Sequence, residues 1–308
     1  MISASSLHRA ASCPASTQIT PIDITGDAAI FGTANHAEIE AAMRVKLWDA
    51  LPPEIAAAFR NTELLGIEMS LVYDTASDTV RYIGESKGRS YGEISSTEIP
   101  MTIDIVCRNE IQEVVVTDWK SRERVADAND NWQIKAQVLA VSRWLGVGEV
   151  TGGIWYLDNH ECRPHTFTEF DFDDIRRELA QILKKANEPS NPKVGPWCKY
   201  CPAAIECPAQ RKILERAMEV AKLGGTTEEL YYGLKELEKF VETSLQAVRA
   251  QISARPLQLS NGKELILTER SKQAFDQGEA KRILTEMGRP IPYRQSSYTQ
   301  LMERKVKE

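Results

Sequence analysis

Two successive apolar runs in this chain each carry one aspartate where a core residue would otherwise sit. They are Met101-Thr102-Ile103-Asp104-Ile105-Val106 and Val114-Val115-Val116-Thr117-Asp118-Trp119-Lys120. Their β-branched content reads as strand, and Asn109-Glu110 between them reads as a hairpin turn. A carboxylate in a buried strand costs several kcal/mol unless it is paired or metal-bound. Two such acids on adjacent strands can converge on one hard cation, Mg²⁺ or Mn²⁺. Side chains two apart on a strand share a face, so Asp118 and Lys120 project together with Trp119 opposite. A lysine so placed can orient or deprotonate an attacking water. Taken alone, Asp118 and Lys120 also fit a solvated strand end.

The rest of the chain supplies helices and further strands around these two. Ser5 and Ser6 are N-cap candidates for a short helix through about Ala11, which Cys13-Pro14 ends. Residues 20–30 read as loop. Gly32-Thr33 then opens a helix from about Ala34 to Trp48, with His36, Ile39, Met43 and Leu47 as its stripe. Pro52-Pro53 ends that helix and starts another through about Arg60. Leu64–Tyr73 and Thr79–Gly84 read as paired strands, followed by a polar loop to Glu98. Ala128–Leu145 reads as a helix with Gly146 at its C-cap. Val150–Leu157 and Arg163–Phe170 make a second strand pair, and Phe172–Ala186 an amphipathic helix.

At 308 residues, 42% of them hydrophobic and 27% charged, the chain has room for one large domain or two ordinary ones. The expected class is α/β, a central mixed sheet flanked by helices over residues 1–210. A helical extension over 211–308 follows. It contains a long helix, Thr226–Arg255, whose apolar stripe reads as ordinary packing. A small hairpin at Leu257–Thr268 turns at Asn261-Gly262, and a tail follows with nine Lys/Arg against five Asp/Glu.

Six cysteines are too sparse for a disulfide scaffold. Three of them, Cys198, Cys201 and Cys207, form C-x2-C-x5-C, a spacing that fits zinc or iron–sulfur ligation. Cys107 on a strand and Cys162 in a turn read as small buried residues. Cys13 is followed by proline, as Cys207 is, and is the candidate fourth ligand.

Three more features flank the acids. Gly32-Thr33-Ala34-Asn35-His36 precedes Glu38 and Glu40. Gln133 and Gln137 lie at i and i+4 on the helix after the D-x-K strand, so they share a face. Glu68 is a further acid within a strand, read either as a metal-side group or as a sheet-edge residue.

This order of motifs resembles the PD-(D/E)XK nuclease superfamily with its restriction-endonuclease-like fold. Within it, the chain resembles the RecB-like iron–sulfur nucleases: AddB-type subunits, CRISPR-associated RecB-like exonucleases and phage-encoded relatives. The resemblance covers about residues 1 to 210. It implies a Mg²⁺- or Mn²⁺-dependent DNA nuclease, an exonuclease, acting in recombination, repair or phage or CRISPR DNA processing. It implies metal ligation by His36, Asp104, Asp118 and the carbonyl of Trp119, with Lys120 positioning the attacking water. It places Gln133 beside substrate or lysine, and makes Glu68 and Gln137 further possibilities. It implies a [4Fe–4S] cluster on Cys13, Cys198, Cys201 and Cys207, with zinc as the alternative. The implied partners are single- or double-stranded DNA and an annealing protein, a helicase or a CRISPR integrase. The chain departs from the family pattern at Gln137, which replaces a tyrosine, at Thr102-Ile103, where many relatives have a glycine, and at Asp118, where glutamate is commoner. Two readings of other classes remain open: a non-catalytic DNA-binding or assembly module with the nuclease fold, and a zinc-stapled structural protein.

No G-x-x-x-x-G-K-[ST] is present, so an ATPase motor is not expected. The expected setting is cytoplasmic, in a prokaryotic or phage-infected cell. The first residues carry no secretory pattern and there is no apolar run of about 18 residues. A net charge of −6 would normally argue against nucleic acid. Several of those acids, however, are the candidate ligands, and a bound divalent ion cancels two charges where phosphate would sit.

Overall fold

The two acid-bearing runs become neighbouring antiparallel strands near the middle of a six-stranded sheet. The structure, a computed structural model, describes residues 2–19, 27–85, 90–120, 126–157, 161–204, 206–223, 226–254, 256–275 and 293–305. The sheet strands are β1 (Glu63–Asp74), β2 (Thr79–Glu85), β3 (Glu98–Arg108), β4 (Val114–Lys120), β5 (Glu149–Tyr156) and β6 (Glu161–Thr168). They lie in the order β2-β1-β3-β4-β5-β6. Every pairing is antiparallel except β4 with β5. That parallel pair requires a crossover, supplied by α4 (Trp132–Leu145).

Helices cover both faces. On one side α1 (Leu7–Ser12), α4 and α5 (Glu169–Asn187) pack on the sheet, with Leu7, Val138, Val141, Phe172 and Leu179 in one core with Met69, Leu71, Met101 and Val116. On the other, α2 (Asp27–Arg44) and α3 (Pro53–Phe59) bring Ile39, Met43, Ile55 and Phe59 onto Ile67, Ile105, Trp119 and Trp155. Each large side chain fully buried in these cores contributes roughly 1.5–3 kcal/mol. Gly152 lets α4 approach β5. A Cβ there would stand 2.5 Å from Ile134 Cγ2 and 2.8 Å from Val138 Cγ1.

The alternation of faces reverses at neighbouring positions of β3 and β1. On β3, Ile103 lies in the first core and Ile105 in the second, although they are two apart. On β1, Ile67 lies in the second core and Met69 in the first. The residues at the reversals are Asp104 and Glu68, and the register sets them side by side: Ile67 pairs with Ile105 and Met69 with Ile103. Glu68 adopts φ +49°, the left-handed region.

Several boundaries differ from the sequence reading. The first turn begins earlier, as a 3-10 segment at Ala4–Ser6, and Ser6 stands at the N-cap position of α1 without a side-chain hydrogen bond to it. The Ser6 hydroxyl donates instead to the Ser3 carbonyl at 2.8 Å. Helix α2 starts at Asp27 and ends at Arg44, so Gly32 lies inside it and Trp48 opens a separate 3-10 turn. An interior glycine costs a helix only about 1 kcal/mol. Residues 20–26 of the expected loop lie outside the described residues. Ala128–Asp130 forms a 3-10 turn, and α4 begins four residues later than expected, because Asn131 is extended and caps it.

Beyond these layers come α6 (Pro208–Leu223) and α7 (Thr227–Ala254). In α7, Leu234, Val241 and Leu245 are exposed rather than packed. The described residues divide into two compact units, the first holding residues 2–19 and 28–243, the second Asp27 and the residues from Ser244 onward. The second unit holds an antiparallel sheet of β7 (Leu257–Gln258), β8 (Lys263–Phe275) and β9 (Tyr293–Lys305) in that order. The expected small hairpin is present as β7–β8. Strand β8, however, runs on to Phe275 and pairs along its length with a strand that the sequence presents as a polar tail. Among the described residues no helix is long and apolar enough to cross a membrane.

Candidate active site

Strand β4 ends in the alternation Asp118, Trp119, Lys120, and the sheet sorts these as the period of two requires. The Trp119 ring lies with Phe59 and Trp155 in edge-on and tilted contacts at 5.7–5.8 Å. Asp118 and Lys120 face the other way, with Lys120 Nζ 2.7 Å from Asp118 Oδ2. Asp118 is 3% exposed. A carboxylate at that depth needs partners for both oxygens. The second is supplied by Gln133 Nε2, which donates to Asp118 Oδ1 at 2.5 Å. Lys120 Nζ also donates to Gln133 Oε1 at 3.4 Å, which closes a triangle. Gln133 is placed by the start of α4: the Asn131 side chain accepts from Gln133 N at 2.9 Å and from Ile134 N at 3.2 Å.

Asp104 reaches the same end of the sheet from β3. The Trp119 amide donates to its Oδ2 at 2.6 Å, and its Oδ1 lies 3.9 Å from His36 Nδ1. At that distance the two are neighbours rather than hydrogen-bonded. Burial lowers the pKa of His36, and the charge of Lys120 acts with it against Asp118 and the Trp119 backbone. The imidazole is therefore neutral near pH 7, the form that ligates metals. Glu68 joins from β1. Ligand atoms of His36, Glu68 and Asp104 lie within 4.8 Å of one another, and among the described residues this is the one such group of three.

The electrostatics of these acids are unfavourable as they stand. Burial raises the Asp104 carboxyl well above its usual range, and the charges of Asp118 and Glu68 add to the rise. Burial raises Glu68 as well, with Glu40 and Asp118 adding to it and Arg44 opposing. A divalent cation among a neutral imidazole and mutually repelling carboxylates relieves that repulsion, so the donor set fits Mg²⁺ or Mn²⁺. Holding Glu68 at a positive φ costs roughly 1–3 kcal/mol. It lies on β1 just before the stretch, Met69–Asp74, that pairs with β2, so at this residue the paired neighbour is β3 alone.

Gln137, one turn beyond Gln133, does not reach the acids by any contact seen here. It is fully buried, and its Nε2 donates to the Thr102 carbonyl at 3.3 Å, which ties α4 to β3 two residues before Asp104. The sequence reading missed Arg44. Its guanidinium donates to Glu40 at 2.9 Å, to Glu85 at 2.7 Å and to the Ile67 carbonyl at 2.8 Å, next to Glu68. The i, i+4 spacing of Glu40 and Arg44 was the available signal.

The cysteines gather elsewhere. Cys13 ends α1, and the Lys193 amide donates to its Sγ at 3.3 Å. The Gly195 amide donates to Cys198 Sγ at 3.4 Å. Cys198 Sγ also lies 3.9 Å from the Lys193 carbonyl, so Lys193 meets both Cys13 and Cys198, and burial raises the Cys201 thiol against the Ala203 amide and the charge of Arg9. Cys207 is buried just before α6. No three of these sulfurs lie within 4.8 Å of one another. Cys107 and Cys162 stay apart, with thiols pushed up to about 11 by burial.

A family model described as the PD-(D/E)XK nuclease superfamily matches residues 1–208. Among solved structures, that of SSO0001 aligns over 59% of this chain and 71% of its own, at 19% identity and a TM-score of 0.34. No curated protein matches the chain.

Proposed function

Because the chain belongs to the PD-(D/E)XK nuclease superfamily, we propose that it is a Mg²⁺- or Mn²⁺-dependent exonuclease that hydrolyses phosphodiester bonds in DNA, of the RecB-like iron–sulfur group. The observation that carries the reading is the meeting of Asp104, Asp118, Lys120, Gln133 and His36 where the end of β4 meets the middle of β3. His36, Asp104, Asp118 and the carbonyl of Trp119 would hold the cation. When bound, it supplies Lewis-acid polarisation of the scissile phosphate and offsets the charge that builds on its oxygens. Lys120 Nζ, held by Asp118 and Gln133, orients the attacking water and stabilises the developing negative charge. Gln133 keeps that ammonium and the Asp118 carboxylate in fixed relation. Trp119 contributes its backbone, and its ring anchors the strand from the opposite face.

Cys13, Cys198, Cys201 and Cys207 would hold a [4Fe–4S] cluster that clips α1 to the segment after α5. Joining chain ends so far apart is where a ligation staple contributes most.

The test is cleavage of end-labelled single- and double-stranded DNA in Mg²⁺ and in Mn²⁺, on anaerobically purified protein. Linear substrates should shorten from their ends while closed circles persist. Asp118→Ala and Lys120→Ala should each abolish cleavage with an unchanged circular-dichroism spectrum. Wild-type rates in both variants would remove the assignment.

A further inference from the structure

The second unit carries a two-stranded ribbon whose faces differ in charge. Strands β8 and β9 pair from Lys263 with Lys305 to Phe275 with Tyr293. Strand β7 covers only the open end, where Leu257 pairs with Leu265 and Gln258 with Glu264. Among the described residues, β8 and β9 have no other strand beside them.

Residues opposite one another in a ladder, and residues two apart along a strand, belong to one face. The register therefore sorts the far half of the ribbon, residues 269–275 with 293–299. One face holds Arg270 opposite Tyr298, Lys272 opposite Ser296 and Ala274 opposite Arg294, three cations and no acid. The other face takes Glu269, opposite Thr299, and no cation. Near the open end the sorting stops, for there Glu264 pairs with Arg304 and Leu265 with Glu303.

Like charges so placed repel, and an anionic partner offsets the repulsion. Arg270 and Lys272 stand about 6.6 Å apart along β8. That step matches the reach from one phosphate to the next along a nucleic-acid strand. A two-stranded ribbon is also narrow enough to enter the major groove of duplex DNA.

We propose that the ribbon face carrying Arg270, Lys272 and Arg294 is a second DNA-binding surface, outside the nuclease unit, that takes the phosphate backbone of duplex DNA. It rests on the preceding reading for the nature of the anion and adds a place that the resemblance does not cover. Phosphate contacts carry no sequence information, so the grip is the same on any duplex.

The experiment is binding of a labelled blunt duplex by fluorescence anisotropy, in chelator, over a series of salt concentrations. The proteins are full-length wild type, the triple variant Arg270→Gln/Lys272→Gln/Arg294→Gln, Arg270→Lys/Arg294→Lys, and Ser271→Ala/Gln273→Ala/Gln295→Ala on the opposite face. Each phosphate contact contributes about 0.9 to the slope of log affinity against log salt. The triple variant should therefore lose roughly 2–3 from that slope and bind at least about tenfold more weakly at low salt. The lysine variant and the opposite-face variant should keep the wild-type slope. If the triple variant does not fold, Arg270→Gln and Arg294→Gln singly should each lower the slope by about 1. A wild-type slope and affinity in the glutamine variants overturns the surface, and leaves the nuclease reading standing where wild type cleaves DNA. Equal loss in the opposite-face variant overturns it too, since the fold of the ribbon would then be what matters. The expected losses in a protein that never cleaves DNA keep the surface and remove the nuclease reading. No duplex binding by wild type overturns the surface.

Discussion

Gln133 Nε2 meets Asp118 Oδ1 at 2.5 Å, which joins the first turn of α4 to the end of β4 across fifteen residues of sequence. The contact fixes one oxygen of a carboxylate whose other oxygen carries Lys120. Gln133→Leu removes it while keeping the bulk of the side chain. Because Gln133 acts through the aspartate and the lysine, the expected loss is about 10–100-fold in kcat, with little change in KM. Steady-state kinetics on a labelled oligonucleotide reads the split. A rise in KM alone would assign Gln133 to substrate binding instead.

Asn131 is one step further out. Its side chain accepts from the amides of Gln133 and Ile134 and so starts α4. Asn131→Ala should cost about 1 kcal/mol in chemical denaturation. It should also lower kcat, because the turn that carries Gln133 loosens, whereas Asn131→Asp or Asn131→Ser should restore both.

Asp78 governs acid stability. Burial on its own would raise this carboxyl, but the Tyr73 hydroxyl at 2.6 Å and the Arg143 guanidinium at 3.0 Å outweigh it and hold the pKa below the ordinary value. A carboxylate with a depressed folded pKa stabilises fully above its unfolded pKa, and that contribution is lost as pH falls through the folded value. Asp78→Asn should therefore cost about 1–3 kcal/mol at neutral pH. The difference from wild type should shrink as pH falls below the ordinary aspartate range. A difference independent of pH would mean that the loss is packing rather than charge. Asparagine tolerates the φ of +57° at this position, so the backbone is not the variable.

The cysteines separate by colour and reactivity. Protein purified without oxygen should be brown, with broad visible absorption that dithionite bleaches. Serine at Cys13, Cys198, Cys201 or Cys207 should remove the colour and lower the melting temperature. Cys107→Ser and Cys162→Ser should keep it, and those two thiols should resist alkylation at pH 8, since their pKa values stand near 11. A colourless protein with one equivalent of zinc would overturn the cluster.

Some of this site was legible in one dimension. Asp118 and Lys120 share a face because any strand has a period of two, and the buried aspartate announces itself by its cost. Gln133 was marked by the resemblance to the family's motif order. Arg44 did not, because its partner is the carbonyl of Ile67, and nothing in a sequence marks a backbone acceptor on another element. Strand β9 was hidden by composition. Its polar residues read as a tail, and its pairing with β8 crosses residues 276–292.

The sequence by itself determined the types of most elements through α7, the D-x-K pair and the order in which His36, Asp104, Asp118 and the four cysteines occur, because local period and spacing decide these. Only the tertiary structure decided that Glu68 stands beside Asp104. A one-residue reversal of faces leaves an apolar pattern on either side that still alternates, and glutamate carries no signal for a left-handed backbone. Its conformation is a consequence of the strands, the helix and the arginine that enclose it, and those meet only when the chain is folded.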